Sequence, residues 1–557
     1  MIARIRGAAL TQVRKAYYRL LEKSLFRRSR EQGQSRYFPI CHGLNYLYQP
    51  LSFAQDGQAY FTKFYRESGL NPLAVDFGRF TNEVVAGEAV APNQEWSMVL
   101  DQPSVLPIAV ESGDSTRMDG KFTINLSVGG EKYPLHGLVG ERFYYAPIPV
   151  AGPVSLSCSH RLIVGRPLPM VQAKPHRRRL VLNLFVDAFT PYVFKQVPFA
   201  ELMPRLHAFF CKGAIFTNCH ATSEWTLPSV PSIMSGRRTR AHGLYHPSRN
   251  PLIGDGYPLL ADRFKADDYL GFITIPGGRM APSYGYPRGF DRCLYRLYMP
   301  MSDSLTATYD HLRAFPGRDH FAWIGIMEAH HSLFYTPDIS TMVGAGLDGM
   351  NFAARNEARN HDRKLDEGSR ERYMGELRRI DFALGQLLDF VQQNYAEDEY
   401  LVTLFADHGV GFLNTSPHFL PEWMTNVPFM LRGGGVPQGQ WDELVQTLDI
   451  APTILHLCDL PPLEGIAGRL PEALGGPLAR QHILAESHYP RRPYQAVLRD
   501  HQWEFQVRSE SLLDEEGNYT LGKADLALYS LDRPDENVAT AHPAVVERFL
   551  GLLAANG

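Results

Sequence analysis

Two almost unbroken apolar runs, Leu180–Val186 and Tyr400–Phe405, set the terms on which this chain can fold. Short runs rich in Leu, Val and Phe fit strands covered on both faces, as in the interior of a parallel sheet. Each run stops at an acid: Asp187 follows the first, and Ala406-Asp407-His408-Gly409 follows the second. Between them, 199–210 reads as a helix, Ala214–Thr217 as a short strand, and Asp268–Ile275 and Phe321–Met327 as further buried strands. Tyr373, Leu377, Ile380, Leu384, Leu387 and Val391 recur at three-and-four spacing and predict a long amphipathic helix. Val427–Leu431 reads as a strand and Glu443–Leu457 as a helix. This alternation predicts an α/β fold with a large, mostly parallel central sheet and helices on both faces. Ligands bind beyond the carboxyl ends of strands in such sheets, and that is where Asp187 and the Asp407-His408 pair fall.

Upstream the texture differs. From about 36 to 170 the chain is a series of short β-rich runs divided by turn signals, such as Lys121–Val128 before Gly129-Gly130, and Pro153–Cys158. Such runs predict an antiparallel, sandwich-like accessory domain, and no catalytic cluster stands out in it. The expected organisation is a basic amphipathic segment at 1–35, the β-rich domain at 36–170, an α/β core at 171–470 and a completing subdomain at 471–557. Residues 1–30 are rich in Arg and Lys with the single acid Glu22, and Leu10, Val13, Tyr17, Leu21 and Leu25 recur at helical spacing. A helix of that kind either lies on an anionic membrane surface or packs on the protein body. Peripheral membrane contact through 1–30 is therefore one expectation. No apolar run approaches the ~18 residues of a membrane span, and the first residues lack the apolar core of a secretory signal. Cys41, Cys158, Cys211, Cys219, Cys293 and Cys458 show no metal-site spacing and read as free thiols of a reducing compartment. The expected location is cytoplasmic. With Lys+Arg 56 against Asp+Glu 59, a formal charge of -3, there is no global footprint for nucleic acid.

The stretch Ser223–Gly236 is the most informative part of the core. Pro228 suits the first turn of a helix and Gly236 suits its end. Thr226 then stands at a helix N-terminus, where backbone N–H groups and the helix dipole favour an anion. A threonine there can also be a simple cap. To act as a nucleophile its hydroxyl needs a base or a metal ion. Asp187, Asp407 and His408 offer two hard oxygens and one imidazole, with Thr226 completing a set suited to a divalent ion such as zinc, manganese or calcium.

Taken together, the strand ending in Asp187, Thr226–Ser229 leading to Ser235-Gly236, and Ala406–Gly409 resemble the sulfatase-like branch of the alkaline phosphatase superfamily. Glu328-Ala329-His330 resembles that family's substrate-contacting histidine, and Tyr373–Gly385 its long helix before the Asp-His strand. Thr447–Thr453 resembles its late helix and Leu528–Asn537 its closing segment. The resemblance spans about Arg179 to Leu553 and leaves the first third of the chain outside. Sulfatases proper carry a cysteine or serine at the position of Thr226, which is oxidised to an aldehyde; a threonine cannot be so converted. They also carry an arginine at the position of Val230 and a second aspartate at that of Ala188.

Threonine here resembles the phosphodiesterase, phosphoethanolamine-transferase and phosphoglycerol-transferase members. The resemblance implies a metal-dependent phosphoester hydrolase or phosphotransferase working through a covalent phosphothreonine, on a phosphoester that is lipid- or glycan-linked. Thr226 would be the nucleophile, with Asp187, Thr226, Asp407 and His408 as metal ligands. His330 and His418 would contact the phosphate or protonate the leaving group, with Glu328 aiding substrate binding. Glu328 and His331 offer a second metal position, and the loop Phe334–Arg370 is expected to border the pocket. A sulfatase, or a silent binding protein keeping the fold, is the alternative.

Overall fold

The computed structural model describes residues 46–55, 58–65, 81–111, 121–140, 142–246, 252–331, 367–413 and 418–556, and the chain divides into units Met1–Pro169 and Met170–Gly557. The basic segment 1–30 and the loop from 334 to 366 lie outside the described residues; from Glu367 onward the chain is helical.

In the first unit the described strands pair antiparallel. One sheet runs through Ser104–Glu111, Arg161–Gly165, Asn82–Val90 and Gln58–Tyr65. The other runs through Glu95–Leu100, Gly152–Ser157, Lys121–Val128 and Glu131–Val139. Leu106 and Ile108 of the first and Ile124, Leu126 and Leu156 of the second share one core, so the unit is a sandwich. Gly129 and Gly130, with φ of 60° and 90°, form the two-residue turn between adjacent strands, a conformation side chains disfavour.

The second unit is built on a mixed, mostly parallel sheet. Its strands are β1 (Leu180–Val186), β2 (Ala214–Phe216), β3 (Leu270–Ile275), β4 (Arg292–Tyr295), β5 (His320–Ile326), β6 (Tyr400–Phe405), β7 (Phe429–Gly433) and β8 (Gly439–Trp441). The spatial order is β4-β3-β5-β1-β6-β7-β2-β8, with β7 antiparallel to both its neighbours. All of β1, β5 and β6 is buried, which is why these segments read as continuous apolar runs. The polar exception is Asn183 in the middle of β1. It donates to the Ala322 carbonyl on β5 at 3.1 Å and accepts from Thr403 Oγ1 on β6 at 2.8 Å, so both faces of the strand pairing are satisfied. Helices α1 (Thr226–Ser235), α2 (Met301–Ala314) and α3 (Glu367–Asn394) belong to this unit. A four-stranded antiparallel sheet, β9 (Ile483–Ser487), β10 (Pro493–Arg499), β11 (Trp503–Leu512) and β12 (Ala524–Ser530), follows it and packs on the final helix through Phe549 and Leu553.

Two helices differ from expectation. The segment 199–210 breaks into Phe199–Leu202 and Pro204–Phe210, because Pro204 forces Met203 out of helical geometry, to φ -137 and ψ 66. The segment expected as one helix from Glu443 instead holds a short strand, Val445–Gln446, and a tight turn, Thr447–Asp449, before the helix Ile450–Leu457. Asp449 is the cause: one oxygen accepts from Gln446 N at 2.8 Å and its carboxylate is bound by Arg480. Cys158, Cys211, Cys219, Cys293 and Cys458 are free thiols. Among the described residues no helix is long and apolar enough to cross a membrane.

The Asn183 bridge yields a direct test. Thr403→Val leaves Asn183 Oδ1 buried without its donor, which costs about 1–3 kcal/mol of unfolding free energy. Urea unfolding of the two proteins measures it, and coincident curves would show that the bridge contributes nothing.

Candidate active site

Three adjacent parallel strands deliver the site residues to one end of the sheet. β1 lies between β5 and β6. Asp187 leaves β1 with its N–H still bonded to Ile326 O of β5 at 2.9 Å. Asp407 and His408 follow β6, and His330 sits in the helical turn Glu328–His331 that follows β5. The N-terminus of α1 brings Thr226 to the same place.

Thr226 is the first residue of α1, and the cap position is Trp225, whose side chain makes no capping bond. The threonine hydroxyl is turned instead toward the strand ends. Its Oγ1 lies 3.4 Å from Asp187 Oδ2, to which it donates, and 3.4 Å from His408 Nε2. His408 Nε2 is also 3.5 Å from Asp187 Oδ1 and 3.5 Å from Asp407 Oδ2. The Gly409 carbonyl, 2.7 Å from His408 Nδ1, can only accept, so Nδ1 carries the proton and the Nε2 lone pair faces the cluster. Asp407 Oδ1 accepts from the N–H groups of Ala188 and His408, at 3.3 and 3.0 Å.

Asp187 Oδ1 and Asp407 Oδ2 are buried and have no hydrogen-bond partner. Burial, and then the charge of Asp407, push the Asp187 carboxyl well above its usual range, with the Thr226 hydroxyl opposing. Donor atoms of Asp187, His330 and His408 all lie within 4.8 Å of one another. Two orphaned carboxylate oxygens beside imidazole nitrogens form a donor set that fits a divalent cation. The fit rests on charge as much as on shape, because among the described residues no lysine or arginine pairs with either buried carboxylate.

The backbone around the cluster is held under constraint. Ala188 has φ 61, a left-handed conformation uncommon for a residue with a side chain. Tyr373 of α3 stabilises it, accepting from Thr190 N and donating to Ala188 O, both at 3.0 Å. At Gly409 a Cβ would lie 1.9 Å from Trp423 O, so the chain after His408 requires glycine. Gly236 ends α1 with φ 67, as the sequence suggested. Val230, at the position where the resembling sulfatases carry arginine, is buried within α1.

Two expected site residues are engaged elsewhere. His418 hydrogen-bonds Glu504 Oε1 through Nδ1 at 2.7 Å and the Pro534 carbonyl through Nε2 at 2.9 Å. Burial opposes its charge, but the bond to Glu504 and that carboxylate's charge outweigh it and raise the imidazole pKa. With both nitrogens so committed, His418 anchors the C-terminal sheet and lines the cavity beside Phe419 rather than joining the cluster at Thr226. Glu328 accepts from Met301 N, at the start of α2, at 2.6 Å and lies 3.7 Å from Arg379. It thus complements a helix N-terminus rather than lining the threonine site. Among the described residues no second group of metal-ligand type gathers at Glu328, and the His331 side chain lies outside them.

His330, expected to contact the phosphate or protonate the leaving group, also falls within the ligand cluster, its ring edge-on to His408 at 5.8 Å between centroids. Glu224 was not singled out from the sequence. It is buried two residues before Thr226 and accepts from Ser223 Oγ at 2.8 Å and from Ser487 Oγ. Only its position next to Thr226 could have drawn attention to it, since Ser487 is remote in sequence.

Residues 194–460 match the Sulfatase family model. A phosphonate monoester hydrolase from Silicibacter pomeroyi is similar in structure, with TM-score 0.52 and 15% identity over 68% of this chain and 94% of that one. A phosphonate monoester hydrolase of Agrobacterium radiobacter gives 0.51 and 16% over 69% and 95%. A 2-O GAG sulfatase gives 0.52 and 15% over 68% and 92%. No curated protein sequence matches the chain. Residues 194–460 of the second unit are thus similar to the Sulfatase family, and the unit shares its fold with solved sulfatases and phosphonate monoester hydrolases.

The orphaned carboxylates predict opposite effects with and without cation. A folded-state pKa raised by burial means Asp187 stabilises the fold only below its unfolded pKa, and that contribution disappears as pH rises through the raised value. At neutral pH in chelator, Asp187→Asn should therefore melt at a higher temperature than wild type. Added manganese, zinc or calcium should raise the wild-type melting temperature and leave the variant nearly unmoved. Identical melting curves for wild type with chelator and with each ion would contradict the assignment.

Proposed function

We propose that the protein is a phosphoester hydrolase or phosphotransferase acting through a covalent phosphothreonine at Thr226. The observation that carries this reading is the threonine hydroxyl at the first position of α1, 3.4 Å from both Asp187 Oδ2 and His408 Nε2. A threonine cannot become the aldehyde on which sulfatases proper rely. Its oxygen can still attack phosphorus.

Asp187, Asp407 and His408, with Thr226 Oγ1, are the residues that would hold a divalent ion, which when bound supplies positive charge to favour the threonine alkoxide and to draw off charge from the phosphoryl oxygens. The remaining work falls to the chain itself. The first turn of α1 presents backbone N–H groups and the positive end of a helix dipole to the anionic ester. The Thr226 hydroxyl is directed at Asp187 Oδ2, the path by which its proton leaves. Thr226 Oγ1 then bonds to phosphorus as the bond to the alcohol oxygen breaks, and His330 provides the proton that oxygen takes up. Water, or an acceptor hydroxyl, next attacks phosphorus and gives its proton to His330, while the Oγ1–phosphorus bond breaks and the threonine oxygen takes back the proton held on Asp187. Excluding bulk water from so buried a cluster strengthens each of these interactions.

The test is turnover of aryl phosphate mono- and diesters by the full chain with manganese, zinc or calcium. Thr226→Ala should lower kcat by at least about 10³-fold, the scale seen when a nucleophile is removed. Equal rates would eliminate the mechanism, and turnover of aryl sulfates but not phosphates would return the chain to the sulfatases.

The basic segment 1–30 supports a further part of the reading, that the ester is reached at an anionic membrane surface. Flotation with vesicles containing phosphatidylserine should be lost on deletion of residues 1–30. Undiminished flotation of the truncated protein would end the case for membrane contact through this segment.

A further inference from the structure

A cavity of about 210 Å³ is built from the same chain segments that carry the nucleophile and His408. Glu224, two residues before Thr226, lines it together with Ser487, Tyr489, Phe419, Arg492 and Arg508. Trp423 and Met424 line it too, and their carbonyls accept from Val410 N at 3.2 Å and Gly409 N at 2.8 Å, the residues immediately after His408. The Trp225 ring packs on that of Tyr489, centroids 4.9 Å apart, and Glu486 N donates to Thr222 O at 2.9 Å. The cavity is therefore walled by residues of the segments that carry Thr226 and His408.

Its charges are unequal in freedom. Both Glu224 oxygens are taken by serine hydroxyls. Glu504, beneath this wall, is bound by Arg499 and His418, which pull its carboxyl down to about 2 although burial alone would raise it. Arg508 is exposed, with its guanidinium 5.4 Å from the centre of the Phe419 ring, and among the described residues it makes no hydrogen bond or ion pair. A second guanidinium, that of Arg492, lines the same space. The volume is below the ~300–1,000 Å³ of sites for drug-sized ligands, which suits one small polar unit.

We propose that this cavity seats the alcohol part of the ester, and that this alcohol carries a negative charge of its own, read by Arg508 and Arg492. The inference rests on the phosphoester reading of Thr226 and gives it a substrate class: esters of small anionic alcohols. Arginine suits the task because its planar fork meets a carboxylate or phosphate with paired charge-assisted bonds.

Two esters that differ only in that charge provide the test. 3-Phosphoglycerate and glycerol 3-phosphate are compared as competitors of aryl phosphate turnover by the full chain supplied with the activating divalent ion. The glycerate ester should inhibit about tenfold more tightly or better, the scale of one charge-assisted hydrogen bond. Arg508→Ala should bring the ratio of the two inhibition constants toward one, Arg508→Lys should keep part of it, and Arg492→Ala should lower it. Equal inhibition by the two esters in wild type, failure of 3-phosphoglycerate to compete, or a ratio unchanged in both alanine variants would overturn the proposal. The nucleophile is judged separately. If Thr226→Ala still turns over aryl phosphate while the charge preference persists, the phosphothreonine reading fails and the cavity assignment stands.

Discussion

Two carboxylates ending neighbouring strands, buried together with one oxygen apiece lacking a donor, are the constraint around which the α/β unit is arranged. Like charges this close in a dry setting are costly, and the raised pKa of Asp187 is the measure of that cost. A chain that only needed to fold would put apolar residues there. The surrounding structure instead enforces the juxtaposition. The Gly409 carbonyl sets the tautomer of His408, and Tyr373 clamps the left-handed turn at Ala188. A glycine follows His408 because the Trp423 carbonyl leaves no room for a Cβ. Each feature sacrifices local stability or conformational freedom to keep negative charge and an imidazole lone pair converging on Thr226.

The positioning itself follows from sheet geometry. Parallel neighbours in register present their carboxyl ends at one level, so β5, β1 and β6 bring His330, Asp187 and Asp407-His408 together although the residues span more than two hundred positions of sequence. Satisfying Asn183 across all three strands ties that register together from within. Helix α1 then adds what strands lack, an end rich in unpaired N–H donors with a hydroxyl at its first position.

Legibility in the sequence follows the range of the interactions involved. Leu180–Val186 and Tyr400–Phe405 could be bounded to the residue because burial on both faces writes itself as continuous apolar character. Asp187, Thr226, Asp407 and His408 stood out because each sits at an element's end, where a local pattern stops. Interactions between distant segments left no such trace. His418 looked like a loop histidine available for substrate, yet its partner Glu504 comes from β11, and no spacing rule links them. Glu224 is satisfied by Ser487 from the end of β9. The helix expected from Glu443 was disrupted by Asp449, whose carboxylate serves Gln446 and Arg480 instead of a continuing helical turn. Pro204 is the converse case, a break visible in the sequence and passed over because the apolar spacing on either side of it was so regular.

The distribution of roles along the chain has a consequence for specificity. The groups gathered at Thr226 come from the ends of β1 and β6, from the turn after β5 and from α1, and these strands and α1 are buried throughout. The adjoining cavity takes Ser487, Arg492 and Arg508 from the C-terminal antiparallel sheet and its connections, where Arg508 is exposed. Strands of that sheet are held by their own ladder and by the Glu504–Arg499–His418 ion network. An exposed arginine on such a framework can be exchanged at little cost to folding, whereas Asp407 or Gly409 cannot. The cluster at Thr226 and the cavity lining thus come from different layers of one unit, and a change in the second leaves the packing of the first in place.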